Sequence, residues 1–188
     1  MAELLAAAIC SPQGEMLARA TDLRREHPFA FSPGPGLPLI TGVLDVLAST
    51  GEGSLLVLDY KSDRVGPESD LEALVERDYA IQRLLYALAA LRTGAERVEV
   101  AHWFLARPGE WAQATYRAGD RAALEGELAS RLQPVLAGAG AFSVSANPHR
   151  GLCLTCPGRS GLCPWDDEHT LRDDPRAEIP RPQVPAEG

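Results

Sequence analysis

Two short apolar stretches of the sequence each end in a carboxylate, and the second continues into a lysine. The first is Gly42-Val43-Leu44-Asp45 and the second is Leu55-Leu56-Val57-Leu58-Asp59-Tyr60-Lys61. Because residues i and i+2 share a face of a β-strand, Asp59 and Lys61 are expected to point the same way. If the stretches pair as a hairpin, Asp45 reaches the same end of the sheet. Two carboxylates and an ammonium there could hold a hard divalent cation and position a water against a phosphodiester.

Composition places the 188-residue chain among ordinary globular proteins, with 45% hydrophobic and 23% charged residues. No apolar run approaches the ~20 residues of a membrane span, and the apolar start at residues 3–10 lacks the basic region of a signal peptide. We therefore expect a cytoplasmic protein. The net charge of -8 argues against tight independent binding to nucleic acid, since phosphate neutralisation drives that affinity. A protein of this charge that acts on DNA would depend on local basic residues, metal ions or a larger assembly.

Apolar periodicity and turn residues predict a mixed α/β fold, with a central sheet of about five strands flanked by helices and a cysteine-rich C-terminal loop. The predicted helices are residues 2–10, residues 11–22, one continuous helix from a Ser69/Glu72 capping box to about Arg92, and residues 120–137. The predicted strands are residues 23–31, 37–47, 54–60, 96–105 and 111–117. His102 lies within an apolar strand and is expected to be a hydrogen-bonded core or edge residue rather than a metal ligand.

The chain is expected to divide into three parts. Residues 1–145 would form the core domain, and residues 146–172 a cysteine-rich segment that binds a metal or cluster. Residues 173–188 are proline-rich and polar, which is typical of a disordered tail.

Three motifs in this order resemble the RecB-type branch of the PD-(D/E)xK nucleases. They are the Gly42-Val43-Leu44-Asp45 strand, the strand end Leu58-Asp59-Tyr60-Lys61-Ser62-Asp63, and the helical segment Tyr79-Ala80-Ile81-Gln82-Arg83-Leu84-Leu85-Tyr86. Arg25-Glu26-His27-Pro28-Phe29 resembles a strand that precedes these motifs in AddA-type helicase–nuclease subunits. The resemblance covers about residues 10–106 and implies a restriction-endonuclease-like core.

The resemblance implies a role for each matching residue. Asp45 and Asp59 would ligate Mg²⁺ or Mn²⁺, with the Tyr60 carbonyl as a further ligand. Lys61 would orient or help deprotonate the attacking water and steady the phosphate. Gln82 and Tyr86, one helical turn apart, would face the site and hold the lysine or the DNA strand.

Two features of the family pattern are matched less closely. Glu26 would contribute to the edge of the catalytic site, or it would pair with Arg24 across a strand face. The family also has a metal-binding histidine on an upstream helix, and no histidine precedes His27 in this sequence.

Four cysteines suggest metal or cluster ligation more than disulfides in a cytosolic protein. Three of them, Cys153, Cys156 and Cys163, form a dense C-x2-C-x6-C pattern, and Cys10 lies near the N-terminus. This layout resembles the iron–sulfur staple of AddB-type and CRISPR-associated RecB-type nucleases, which implies a [4Fe–4S] cluster on all four thiolates. A Zn²⁺ site that uses the three C-terminal cysteines with Cys10, His149 or His169 is the alternative.

The resulting hypothesis is a metal-dependent DNA nuclease module that hydrolyses phosphodiester bonds, with single-stranded ends as the expected substrate. The resemblance implies recombinational repair of double-strand breaks as the setting, with the chain as part or partner of an ATP-dependent helicase. The sequence has no G-x-x-x-x-G-K-[ST] loop, so we expect no ATPase in this chain itself. A non-catalytic module that binds DNA ends or strands through a degenerate site is a second hypothesis. A CRISPR-adaptation nuclease is a third.

Overall fold

The computed structural model describes residues 2–20, 22–136, 144–145 and 147–173. The chain divides into two compact units, Met1–Leu136 and Ala137–Gly188, and each is described by itself. Most of the predicted disordered tail, residues 174–188, lies outside the described residues. No helix among the described residues is long and apolar enough to cross a membrane.

The first unit is built on a five-stranded mixed sheet, which confirms the predicted fold class. Its strands lie in the order in which they occur in the chain: β1 (Leu23–Phe31), β2 (Ile40–Gly51), β3 (Ser54–Lys61), β4 (Arg97–Phe104) and β5 (Ala112–Arg117). β1, β2 and β3 are antiparallel neighbours, β3 and β4 are parallel, and β5 returns antiparallel to β4. The parallel step requires a long crossover from β3 to β4, and helices α3 (Leu71–Asp78) and α4 (Ala80–Leu91) lie in it.

Helices cover both faces of the sheet. On one face α4 packs on the sheet, with Leu47 and Val57 among the strand residues beneath it, and α5 (Arg121–Leu136) packs against α4. On the other face, α1 (Ala2–Ile9) and α2 (Pro12–Ala18) contribute Ala8 and Leu17 to a second cluster. The middle of β3, from Leu56 to Asp59, is therefore buried, in agreement with its nearly continuous apolar sequence.

The long helix predicted from Ser69 to Arg92 is wrong in one respect, because it is two helices interrupted at Tyr79. Tyr79 has φ -127° and ψ 8°, and it ends α3 and begins α4. The predicted capping box is also replaced. Asp70 caps α3 by accepting from the Ala73 amide at 3.0 Å, whereas Ser69 Oγ accepts from the Gly66 amide at 3.1 Å.

The second unit is described at residues 144–145 and 147–173 and contains two short helices, α6 (Arg150–Cys153) and α7 (Asp167–Thr170). Trp165 is buried and its indole N–H donates to the Ser145 carbonyl at 3.0 Å. The Arg150 amide donates to the Arg172 carbonyl at 2.9 Å. These bonds join the two ends of the described segment and enclose the cysteine loop between them.

Candidate active site

Asp59 and Lys61 form a buried ion pair at the end of β3. The Lys61 Nζ lies 2.6 Å from the Asp59 Oδ2, and the two residues are 8% (Lys61) and 4% (Asp59) exposed. The period of the strand puts both side chains on the face that α4 covers, as the i, i+2 spacing predicts. A pair this well shielded from water interacts far more strongly than one at the surface.

Asp45 lies on the neighbouring strand at the level of Asp59. Val46 pairs with Leu58 in the antiparallel register, so the next step along β2 and β3 brings the two aspartates level. The Asp45 Oδ2 accepts a hydrogen bond of 2.9 Å from the Tyr60 amide. The other carboxylate oxygen of Asp45 has no hydrogen-bond partner among the described residues, and the side chain is only half-buried.

Helix α4 contributes two side chains that complete a hydrogen-bonded chain with the ion pair. The Lys61 Nζ donates to the Gln82 Oε1 at 2.7 Å, and the Gln82 Nε2 donates to the Tyr86 hydroxyl at 3.0 Å. The Tyr86 hydroxyl lies 3.0 Å from the Asp59 Oδ1 and 3.4 Å from the Val43 carbonyl oxygen. The amide of Gln82 therefore donates on one side and accepts on the other, and the chain closes on Asp59.

Burial shifts the pKa values of the side chains in this hydrogen-bonded set. It raises the pKa of Asp59 above its usual range, while the Lys61 and Tyr86 contacts oppose the rise and the Asp45 charge adds to it. Burial and the Asp59 charge likewise raise the pKa of Tyr86, so its hydroxyl stays protonated and can donate. A carboxyl with a raised pKa beside a cation is a combination that recurs at functional sites.

The donor atoms at this end of the sheet suit a hard divalent cation. Mg²⁺ prefers oxygen ligands and is often held by one or two carboxylates together with waters. Asp45, with its free oxygen, and Asp59 are two such carboxylates, and the Tyr60 carbonyl is a third oxygen of the same stretch. Across the described part of the chain, no group of three or more His, Cys, Asp or Glu side chains is arranged around a metal position. Asp45 and Asp59 are thus two candidate ligands, and waters or substrate oxygens would have to complete the coordination of a cation bound there.

Gly42 and Glu26 lie beside this group without joining its hydrogen bonds. A Cβ on Gly42 would lie 2.5 Å from the Phe29 Cζ, so the glycine is needed for close approach of that ring. Phe29 in turn contacts the Tyr86 ring edge-on. Glu26 is exposed, has φ 49° and is level with Asp45 by the register on either side of it. No described residue is within hydrogen-bond distance of its carboxylate, and Arg24 pairs with Asp22 instead.

Tyr79 begins the matching helical motif, but the family resemblance assigned it no role in the site. Its ring lies over the ammonium of Lys61, with the Nζ 3.9 Å from the ring centroid. A usable signal existed, because Tyr79 precedes Gln82 by three residues and Tyr86 by seven, which is one face of a helix. His102, which pairs with Asp59 across β3 and β4, stacks on the Tyr79 ring. His102 is fully buried as expected, but among the described residues neither of its ring nitrogens has a hydrogen-bond partner.

The three C-terminal cysteines do not form the ligand set that the sequence predicts. They are free thiols, as is Cys10; Cys153 is buried, Cys156 is exposed and Cys163 is half-buried. Within the described residues of the second unit, no three cysteine and histidine side chains are gathered as metal ligands. His169, one of the alternative zinc ligands, has its Nδ1 2.6 Å from the Asp166 Oδ1. The thiols of the second unit are thus not gathered around a metal position, and the [4Fe–4S] and zinc sites stay predictions.

The sequence is similar to a known protein family and to known proteins. The family model described as the PD-(D/E)XK nuclease superfamily matches residues 3–164. An ATP-dependent helicase/nuclease subunit from Desulforudis audaxviator (strain MP104C) is 38% identical over 120 residues, covering 57% of this chain and 10% of the relative. Its counterpart from Desulfitobacterium hafniense (strain DSM 10664 / DCB-2) is 36% identical over 87 residues, covering 44% of this chain and 6% of the relative. The chain thus spans a tenth or less of these relatives.

Among solved structures, that of SSO0001 is similar with a TM-score of 0.43 and 17% identity. The similarity covers 87% of this chain and 76% of that one.

Proposed function

Because the chain belongs to the PD-(D/E)XK nuclease superfamily, we propose that it is a divalent-metal-dependent deoxyribonuclease module that hydrolyses phosphodiester bonds. The observation that carries the proposal is the closed chain of Asp59, Lys61, Gln82 and Tyr86 with Asp45 level beside it. Buried charges of this kind lower stability unless each is compensated. The arrangement of these buried charges is explained if they take part in catalysis.

The proposed roles follow from the contacts of each side chain. Asp45 and Asp59 would hold the cation, which when bound polarises the phosphate and lowers the pKa of a coordinated water. Lys61 has three N–H donors, of which Asp59 and Gln82 take two. The third can donate to the attacking water or to a phosphate oxygen, where the positive charge offsets the negative charge that develops.

Gln82 and Tyr86 would keep Lys61 and the Asp59 carboxylate in place. Gln82 fixes the lysine by accepting from its Nζ, and Tyr86 fixes the Asp59 carboxylate by donating to its Oδ1. Since a carboxylate that rotates would misplace the cation, we expect both residues to affect turnover more than substrate affinity. Glu26, exposed at the same level, is proposed only as a contributor to the edge of the site.

We propose single-stranded DNA ends as the substrate and double-strand-break processing as the setting. The similarity to two ATP-dependent helicase/nuclease subunits supports this. A helicase that unwinds the duplex would deliver the single strand, which compensates for the weak DNA attraction of a chain with net charge -8.

The decisive assay is cleavage of end-labelled single-stranded DNA in Mn²⁺ and in Mg²⁺. We expect the unmodified protein to cleave, and Asp59→Ala and Lys61→Ala to lose at least ~100-fold of that activity. Asp22→Ala, which removes an exposed carboxylate that precedes β1 and pairs with Arg24, is the matched control and should cleave normally. Equal residual cleavage by all four proteins would mean that the activity comes from a contaminant and would reject the proposal.

A non-catalytic DNA-binding module is the second candidate. It is favoured by the surroundings of Asp59, because both oxygens of that carboxylate already have protein partners. This candidate predicts DNA binding that is unchanged by Asp59→Ala, with no cleavage by any variant.

The iron–sulfur staple on Cys10, Cys153, Cys156 and Cys163 stays a prediction from their spacing. Since the three C-terminal thiols are not gathered, a cluster would have to draw them together as it binds. Iron and acid-labile sulfide analysis of anaerobically purified protein tests it, and a stoichiometric zinc content would favour the alternative.

A further inference from the structure

The break between α3 and α4 falls at a residue that has no local reason to end a helix. Tyr79 is neither proline nor glycine, and the backbone bonds on both sides of it are kept: its amide donates to the Val75 carbonyl at 2.8 Å, and its carbonyl accepts from the Arg83 amide at 2.9 Å. Its dihedral angles, φ -127° and ψ 8°, nevertheless lie outside the helical range. Unusual backbone conformations of this kind persist where surrounding contacts enforce them, and they concentrate at functional sites.

The contacts that fix Tyr79 come from three directions. Its hydroxyl donates to the Asp63 Oδ1 at 2.9 Å. Its ring stacks on the ring of His102, with centroids 5.7 Å apart and planes inclined by 29°, and it meets the Phe104 ring at 6.5 Å and 60°. The ring is therefore held at one end by a carboxylate and along its body by two aromatic neighbours.

The fourth contact is the one with consequences for the site. The Lys61 Nζ lies 3.9 Å from the centroid of the Tyr79 ring, well within the range of a cation–π interaction. Asp59 and Gln82 bind the same ammonium through its N–H groups. With the ring on another side, the ammonium is confined and a single N–H remains for a substrate or water.

His102 supports this ring on the side where the two rings stack. It is fully buried, and among the described residues neither of its ring nitrogens has a hydrogen-bond partner. Its place is fixed by the parallel pairing of β3 with β4, which puts it next to Asp59.

We propose that Tyr79 is a positioning residue for Lys61, held in place chiefly by ring contacts with His102 and Phe104, and that the break between α3 and α4 exists to bring its ring over the ammonium. The expected effect on catalysis rests on the nuclease function proposed above, whereas the contact between the Tyr79 ring and the Lys61 ammonium does not. A tyrosine that only fills the cluster of Leu71, Val75 and Phe104 would be replaceable by leucine without effect on the lysine.

The test uses two readouts on Tyr79→Leu, Tyr79→Phe and Asp63→Asn. The control is Tyr116→Leu, which makes the same change at a half-buried tyrosine on β5. The first readout is kcat and KM on a single-stranded oligonucleotide. We expect Tyr79→Leu to lower kcat about tenfold with KM unchanged. Tyr79→Phe keeps the ring and should stay within about threefold of the unmodified protein, and Asp63→Asn should behave similarly.

The second readout does not depend on activity. Lys61 is the only lysine in the sequence, so protein labelled with ¹³C at the lysine ε-carbon gives a single lysine signal. An aromatic ring over the ammonium shields the attached ε-protons, and Tyr79→Leu should move that signal downfield toward the position of a free lysine. Tyr79→Phe and Tyr116→Leu should leave it in place.

The outcomes separate the two proposals. If the unmodified protein cleaves nothing but the lysine signal moves only in Tyr79→Leu, the nuclease function fails and the positioning of Lys61 stands. If cleavage depends on Lys61 but neither kcat nor the lysine signal changes in Tyr79→Leu, the positioning proposal is overturned. A fall in kcat that is equal in the Leu and Phe variants would also overturn it, because the ring would then be irrelevant.

Discussion

Replacement of Lys61 by methionine tests the electrostatics of the site without any substrate. The change keeps most of the side-chain volume and removes the charge, so the Asp59 carboxylate stays buried at 4% exposure without its cation. Breaking a buried ion pair by removing one partner costs about 3–5 kcal/mol. Tyr86 still donates to Asp59, so we expect the lower end of that range, about 3 kcal/mol.

This cost should depend on pH in a defined direction. Burial already raises the pKa of Asp59, and loss of Lys61 raises it further, so the folded variant binds the proton more tightly than the unfolded chain does. Stability linked to such a group is present at low pH and is lost as the pH rises through the folded pKa. The deficit of Lys61→Met should therefore be largest at neutral pH and should shrink as the pH falls toward the unfolded value of about 3.9.

The assay is thermal and urea unfolding in the presence of a chelator, from about pH 4 to about pH 8, the range over which the buried carboxyl should titrate. A loss of ~3 kcal/mol corresponds to a melting temperature lower by about 6–12 °C for a chain of this size. The double variant Asp59→Asn/Lys61→Met removes both charges and should recover most of the loss at neutral pH. If Lys61→Met is as stable as the unmodified protein at neutral pH, or if its deficit grows on acidification, then the ion pair is not buried as described.

Three further outcomes are expected. Gly42→Ala should lower the free energy of unfolding by about 1–3 kcal/mol, because its Cβ would lie 2.5 Å from the Phe29 Cζ. Gly51→Ala, with open space around it, should leave that free energy unchanged. Equal effects of the two changes in a denaturant titration would contradict this prediction. Mg²⁺ at about 100 times its Kd should stabilise the protein by about 2.7 kcal/mol in a thermal shift assay, and Asp45→Asn should abolish that gain. His102 has a pKa of about 3 in the folded state and about 6.5 in the unfolded chain. The free energy of unfolding should therefore decrease as the pH is lowered between those values, by up to about 1.4 kcal/mol per pH unit. His102→Phe should reduce this pH dependence in urea titrations, and an unchanged dependence would show that another group causes it.

The strand and helix faces of the site were predictable because they depend on local periodicity. The i, i+2 rule put Asp59 and Lys61 on one face, and the i, i+4 rule put Gln82 and Tyr86 on one face. The antiparallel pairing of β2 with β3 then followed from the short connection between them. These relations hold whatever the rest of the chain does.

The break at Tyr79 was not predictable from local pattern, because the apolar stripe continues through it. What interrupts the helix is a set of contacts with Lys61, Asp63 and His102, which come from other elements and override helix propensity. Local sequence likewise could not decide whether Asp70 or Ser69 caps α3, since both residue types are good caps. Cysteine spacing likewise cannot say whether thiols converge, because convergence depends on the path of the loop.

The topology also orders the assembly of the site in time. Residues 52–53 alone connect β2 to β3, so the hairpin that carries Asp45, Asp59 and Lys61 can close quickly through contacts that are local in sequence. Tyr86 is delivered by the crossover of residues 62–96, which must fold back before β4 can pair in parallel. The carboxylates should therefore meet the lysine early and be withdrawn from water only in the last, slow step, so the charges of the site are buried once their partners are already in place.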